Sequence, residues 1–287
     1  MKYKLLAIDL DGTLLNEQSE IDVENIEAIH EFRQKGGRVV ICSGRSPLST
    51  RWIANTIGLK GEPIIAYNGA IMLDESGEIS EQSFFQEDHL LNFWELCEGE
   101  SIYAHFYEGD TLLVPRVTKW NENWIERNIL TLEKTGGRRD ELEQFRGQCQ
   151  VKVVEDLYQY VKSQQPKITK IAVFNEQGSL ADFSRVIAEK VEGLEVSSSL
   201  NYLNLEISPS GVSKASTLVK LSEKYAIPIS QMAAIGDNYN DSLMLRAAGL
   251  GIAMGNAPEE VKKWADVVTG KNDEAGVAQA IRRYLLE

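Results

Sequence analysis

Nowhere do the 287 residues of this chain supply the roughly 18 consecutive apolar side chains that a membrane-spanning helix requires. The first apolar stretch, Leu5 to Ile8, runs straight into Asp9 and Asp11, so no secretory signal is expected at the N-terminus. Positive charge is in short supply as well: 30 Lys and Arg stand against 43 Asp and Glu, a formal net charge of −13. Nucleic-acid binders depend on clustered cations that neutralise phosphates, so the charge argues against general nucleic-acid binding. The same field repels phosphorylated small molecules at long range, and any phosphate site must carry its own local cations. Cysteine is scarce. Cys42, Cys97 and Cys149 are far apart and without metal-type spacing, which suits a reducing compartment such as the cytoplasm. Cys42 follows Val39, Val40 and Ile41 and is expected to be a core thiol. No internal repeat or low-complexity tract is visible.

What is present fits a globular chain, 43% apolar and 25% charged, long enough for two domains. The N-terminal part alternates buried strands with amphipathic helices. Leu5 to Ile8 is a strand, Ile21 to Lys35 a helix ending at Gly36-Gly37, Arg38 to Cys42 a strand, Pro47 to about Ile57 a helix, and Pro63 to Tyr67 a strand. This βαβαβ rhythm predicts a parallel sheet flanked by helices. A hairpin follows, turning near Glu75-Ser76-Gly77. From Gly211 the rhythm resumes, with a helix from Lys214, a short strand at Met232 to Ile235, and further strands at Gly251 to Met254 and Asp266 to Thr269. Between them the chain mixes strands and helices without that rhythm and holds most of the aromatic residues. The expected architecture is therefore an α/β core, residues 1–83 and 204–287, with an α+β domain of residues 84–203 inserted into it.

The strand ends carry the chemistry. In KLLAIDLDGTLL the first strand breaks into Asp9, Leu10, Asp11, Gly12 and Thr13. In open α/β sheets ligands bind at that carboxyl end. Two carboxylates at i and i+2 repel unless a cation lies between them, and an all-oxygen set suits Mg²⁺. The second strand ends in Ser43, Gly44 and Arg45, a hydroxyl and backbone amides before a helix, which read as an anion site or as an ordinary helix cap. Lys214 opens a helix, where a cation is unfavourable unless something anionic compensates, although a solvated lysine would look the same. AIGDNYND, Ala234 to Asp241, places Asp237 at a strand tip, with Asn240 and Asp241 about one helical turn along.

In combination these four sites resemble motifs I to IV of the haloacid dehalogenase superfamily: DLDGT, Ser43, Lys214 and GDNYND. The strings YNGA, LEISPSGVSKASTL and GLGIAMGNAPEEVKKWADVVT resemble its Cof-type sugar-phosphatase branch, and an insert between the second and third motifs implies a C2B-type cap. The resemblance implies a Rossmann-like core and an Mg²⁺-dependent phosphatase of small phosphorylated metabolites, sugar phosphates foremost. Asp9 would be the nucleophile and Asp11 the general acid and base. The metal would take Asp9, the Asp11 backbone carbonyl and Asp237, with Asp241 coordinating it directly or holding its waters. Ser43, the amides of Leu10 and Gly44, Lys214 and Asn240 would bind the phosphoryl oxygens, with Arg45 and Asn68 as further substrate contacts. Ala215 and Asn238 depart from the family's usual glycine and serine without touching a charged role. A phosphotransferase or mutase of the same fold, or a non-catalytic sensor of a phosphorylated ligand, are the alternatives. A cytoplasmic monomer or weak homodimer is expected, its partner a small molecule.

Overall fold

The computed structural model describes residues 1–175, 178–199 and 202–286. Its first layer is an eight-stranded sheet in the order β14-β13-β12-β1-β2-β3-β4-β5. The strands are β1 (Leu5–Ile8), β2 (Arg38–Cys42), β3 (Ile64–Ala66), β4 (Ile71–Leu73), β5 (Ile79–Gln82), β12 (Met232–Gly236), β13 (Leu250–Ala253) and β14 (Val267–Val268). All neighbouring strands pair in parallel except at one edge, where β4 is antiparallel to both β3 and β5. Parallel strands need helical crossovers on both faces, so these strands read as unbroken apolar runs. Leu6 and Ile8 face one apolar layer with Ile29 and Phe32 of α1 (Val23–Gln34) and with Val277 of α11 (Gly276–Ala280). Leu5 and Ala7 face the other, with Leu218 and Leu221 of α8 (Lys214–Tyr225) and Met244 of α9 (Ser242–Ala247). Cys42 lies in that second layer, fully buried, as its neighbours indicated.

Local chemistry sets the helix starts. Asp22 caps α1 by accepting from the Glu24 amide, and Ser46 caps α2 (Pro47–Thr56) by accepting from the Ser49 amide, with Pro47 at the first helical position. Ser213 and Ser216 form a reciprocal capping pair at the start of α8.

The second layer is a six-stranded mixed sheet in the order β10-β11-β9-β6-β7-β8. It comprises β6 (Tyr103–Glu108), β7 (Thr111–Val114), β8 (Gln150–Val153), β9 (Lys170–Phe174), β10 (Leu194–Ser199) and β11 (Asn204–Pro209), with helices α3 (Glu87–Gly99), α4 (Trp124–Lys134), α5 (Arg139–Gln148), α6 (Leu157–Gln164) and α7 (Ala181–Lys190). One correction follows. Residues 204–209, which the sequence reading gives to the core, are β11, antiparallel to both β9 and β10 in the second sheet. The chain therefore returns to the first layer only after Pro209.

The second sheet has two different faces. Ala104, Phe106, Ile171, Val173, Leu205 and Ile207 form an apolar layer with Phe93 of α3 and Ile187 of α7. The alternate positions, Tyr103, His105 and Tyr107 of β6, Lys170 of β9 and Glu206 of β11, share the opposite face, since Tyr107 pairs with Lys170, His105 with Ala172 and Ala172 with Glu206. That face is turned to the carboxyl ends of the first sheet. The layers meet in hydrogen bonds from Tyr67 Oη to the Gly109 carbonyl at 2.7 Å and from the Leu48 amide to Asp110 at 3.1 Å. Among the described residues no helix is long and apolar enough to cross a membrane.

Candidate active site

Asp9 follows β1 directly, its amide bonded to the Ile235 carbonyl of β12 at 3.0 Å, so its carboxylate is delivered to the crevice between two central strands. Gly12 makes the turn behind it with φ of +84°, and an added Cβ there would meet Asp237 Oδ2 at 2.3 Å. Only glycine lets the loop pass so close to the second carboxylate. Thr13 donates to Asp237 Oδ1 at 2.9 Å, which ties the first acidic loop to the one after β12.

Lys214 is the centre of this arrangement and is completely buried. Its Nζ donates to Asp9 Oδ1 and to Asp241 Oδ1, both at 2.6 Å. Burial works against the ammonium, but the carboxylates of Asp241 and Asp9 outweigh it and hold its pKa above the ordinary lysine range. The Asp241 Oδ2 accepts from the amides of Asp237 and Asn238, each at 3.1 Å, which fixes the shape of the loop. Burial raises the pKa of Asp9 and of Asp237, and the neighbouring Asp241 charge pushes both further up. Ligand oxygens of Asp9, Asp237 and Asp241 lie within 4.8 Å of one another. Three buried carboxylates facing one ammonium leave an excess of negative charge, and this all-oxygen donor set fits a hard divalent cation.

Asp11 behaves differently. Its side chain is 57% exposed, on the wall of a cavity of about 580 Å³ between the two layers. Arg45 holds it in a two-point grip, Nε to Oδ2 at 2.8 Å and Nη2 to Oδ1 at 2.6 Å. Partial burial pulls the Asp11 pKa up, but the guanidinium wins and keeps it below the usual carboxylate range. Arg45, read from sequence as a substrate contact, thus pairs first with Asp11. Ser43 is fully buried behind Gly44 and accepts from the Arg45 amide at 3.1 Å, while the helix cap is Ser46. Leu10 is buried, and its carbonyl accepts from the Leu15 amide at 2.8 Å.

Asn68 sits at φ of +56° in the turn after β3, buried, its Nδ2 donating to Glu206 Oε2 at 2.7 Å and its Oδ1 accepting from Asn240 at 3.2 Å. Glu206 also takes Lys170 Nζ at 2.5 Å, and Lys170 donates in addition to the Gly44 carbonyl at 2.7 Å. Burial pushes Glu206 upward and Lys170 more than reverses it, so Glu206 stays ionised. The fold thus gathers Asp9, Asp11, Gly44, Arg45, Asp237 and Asn240 on the cavity wall. Lys214, Ser43 and Asp241 lie behind it, and Asn68 joins through Glu206. Sequence reasoning missed Thr13, although it stands in the DLDGT string. It also missed Lys170, Glu206, Tyr67 and Tyr107, three of which come from the insert, where no motif marks them.

A parallel α/β sheet with an acidic cluster at its carboxyl edge, roofed by an inserted second sheet, defines a hydrolase that works through clustered aspartates. The chain belongs to the haloacid dehalogenase-like hydrolase family, whose sequence model matches residues 6–281. It is 31% identical to the phosphatase YwpJ of Bacillus subtilis over 98% of this chain and 100% of that one. It is likewise 31% identical to the 5-amino-6-(5-phospho-D-ribitylamino)uracil phosphatase YcsE of the same organism, over 99% of this chain and 96% of the relative. A haloacid dehalogenase-like hydrolase structure from B. subtilis superposes with a TM-score of 0.81 at 30% identity, covering 98% of this chain and 100% of that one. The protein is accordingly a phosphatase-type hydrolase.

Proposed function

We propose that this protein is an Mg²⁺-dependent phosphatase of small phosphorylated metabolites, foremost sugar phosphates, of the Cof-type branch with a C2B-type cap. The insert, running from about residue 84 to residue 209, is its specificity domain. The observation that carries the reading is the Asp9 carboxylate: it stands at the tip of a central strand, bonded to a buried ammonium, and opens on a cavity whose roof is another domain. The compound in the YcsE name carries its phosphate on a ribityl chain, which supports a polyhydroxylated leaving group.

Asp9, Asp237 and Asp241, with the Asp11 backbone carbonyl, would hold the metal, which when bound would withdraw negative charge from the phosphoryl oxygens. Lys214 opposes the upward push of burial on Asp9 and orients its carboxylate. An Asp9 carboxylate oxygen attacks phosphorus, the bond from phosphorus to the ester oxygen breaks, and the leaving oxygen takes a proton from Asp11. Water then attacks the aspartyl-phosphate, gives a proton to Asp11, and releases phosphate with Asp9 restored. Held by Arg45, Asp11 is the carboxylate that this second half requires; the first half requires it protonated, with the guanidinium drawn off. The amides of Leu10 and Gly44 with Ser43 and Asn240 would face the phosphoryl oxygens. The roof excludes competing water.

The test is phosphate release from a panel of phosphorylated metabolites with Mg²⁺, comparing wild type with Asp9→Asn at matched thermal stability. Release that disappears in the variant is expected. Release that persists in Asp9→Asn removes the aspartyl-phosphate route, and transfer to a sugar hydroxyl in place of free phosphate makes the protein a phosphotransferase.

A further inference from the structure

The inward face of β6 carries a row of hydrogen bonds that ends in the cavity, and its direction can be worked out. It starts at Asn121, buried under the second sheet. The Thr118 amide donates to Asn121 Oδ1 at 3.1 Å, which fixes the orientation of the side-chain amide. Asn121 Nδ2 therefore faces Tyr103 and donates to its Oη at 2.5 Å. The second proton of Asn121 Nδ2 is shared between the Arg116 carbonyl at 3.3 Å and the Thr118 hydroxyl at 3.2 Å, which also accepts from the Trp120 amide at 3.3 Å. With Asn121 donating to Tyr103 Oη, the Tyr103 proton is directed to Nδ1 of His105 at 3.3 Å. His105 is buried, and burial with the Lys170 charge nearby keeps the ring neutral. Its single proton is then on Nε2 and is donated to Tyr107 Oη at 3.1 Å. Tyr107 lines the cavity, and no acceptor among the described residues receives its hydroxyl proton.

We propose that Tyr107 reads the leaving group: its hydroxyl proton, aimed into the cavity by the Asn121–Tyr103–His105 array, is donated to an oxygen of the substrate remote from the ester bond. This rests on the phosphatase reading and adds the chemistry of what is accepted, esters whose leaving group carries a hydroxyl, ether or carbonyl oxygen. Lys170 Nζ, 5.5 Å from the Tyr107 ring centroid and engaged with Gly44 and Glu206, closes the same corner of the cavity. Tyr103 and His105 are positioning residues. Tyr107 is the one that touches substrate.

Two measurements test this. In a long-range ¹H–¹⁵N spectrum of the three histidines, His105 is expected as the Nε2–H tautomer in the wild type and as an exchanging mixture in Tyr103→Phe. In kinetics, a hexose phosphate is compared with phenyl phosphate, whose leaving group has no second oxygen. Tyr107→Phe should lower the ratio of their kcat/KM values about tenfold, mainly through KM for the sugar ester, as loss of one hydrogen bond to a non-reacting group requires. Tyr103→Phe should lower the same ratio in the same direction, although Tyr103 is not on the cavity wall. A wild-type Nδ1–H tautomer, or an unchanged ratio in both variants, overturns the role of Tyr107 alone. No phosphate release by wild type from either ester overturns the phosphatase reading together with it.

Discussion

Around Lys214 the electrostatics of single residues are opposed and nearly balanced, and substitution should expose each side. Asp237 is forced upward in pKa by burial and by Asp241, so neutralising it relieves repulsion. We expect Asp237→Asn to melt higher than wild type in EDTA, and to lose the upward shift that Mg²⁺ gives the wild type by binding only the folded state. Differential scanning fluorimetry with and without Mg²⁺ reads both effects; a variant that keeps the metal-dependent shift would place the cation elsewhere. Lys214→Met should do the reverse. It leaves Asp9 and Asp241 buried without their cation and should cost about 3–5 kcal/mol in urea denaturation.

At the scale of elements, β9 and β11 reach across to the loops of the first sheet through Lys170 and Glu206. Both are largely buried, and removing the charge from one strands the other. Glu206→Gln should cost about 3 kcal/mol at pH 7. The sign of its pH dependence follows from the lowered pKa of Glu206. The stabilisation is complete above the unfolded value of 4.5 and is lost as pH falls through the lower folded one, so the gap between variant and wild type should close in acid. Urea titrations at pH 7 and pH 4 would show it, and a gap that stays constant would mean that the pair contributes by shape alone. The elements differ in how plainly the sequence announces them. Strands β1, β2 and β12 are apolar on both faces and end in polar loops, and each is evident from the residue string. Helix α5 was not foreseen, because in RDELEQFRGQ only Leu142 and Phe145 turn inward. β10 was missed because its end, Ser197 to Ser199, is polar, and β11 was given to the wrong domain because pairing partners far away in sequence decide where a strand belongs. At the site, strand ends revealed the aspartates, but nothing local marked Lys170 or Glu206, whose meaning depends on the roof being folded over them.

Across the whole molecule, one apolar cluster joins the layers. Leu48 and Trp52 of α2 belong to it together with Ile129 and Leu132 of α4 and with Leu142 and Phe145 of α5. The roof is thus fastened to the base by packing as well as by polar contacts. Calorimetry should therefore show a single cooperative transition, its van't Hoff and calorimetric enthalpies equal; two resolved transitions would mean that the shared cluster does not couple the layers.

The two unlike faces of the roof sheet bear on descent. Its outer face carries the packing that keeps the insert folded, and its inner face carries the row of Tyr103, His105 and Tyr107 together with Lys170 and Glu206. Exchanges at Tyr103, His105, Tyr107 or Phe174 can accumulate in a duplicated gene without disturbing that outer packing or the aspartates below. New preferences then arise in a lineage while the inherited chemistry passes on intact.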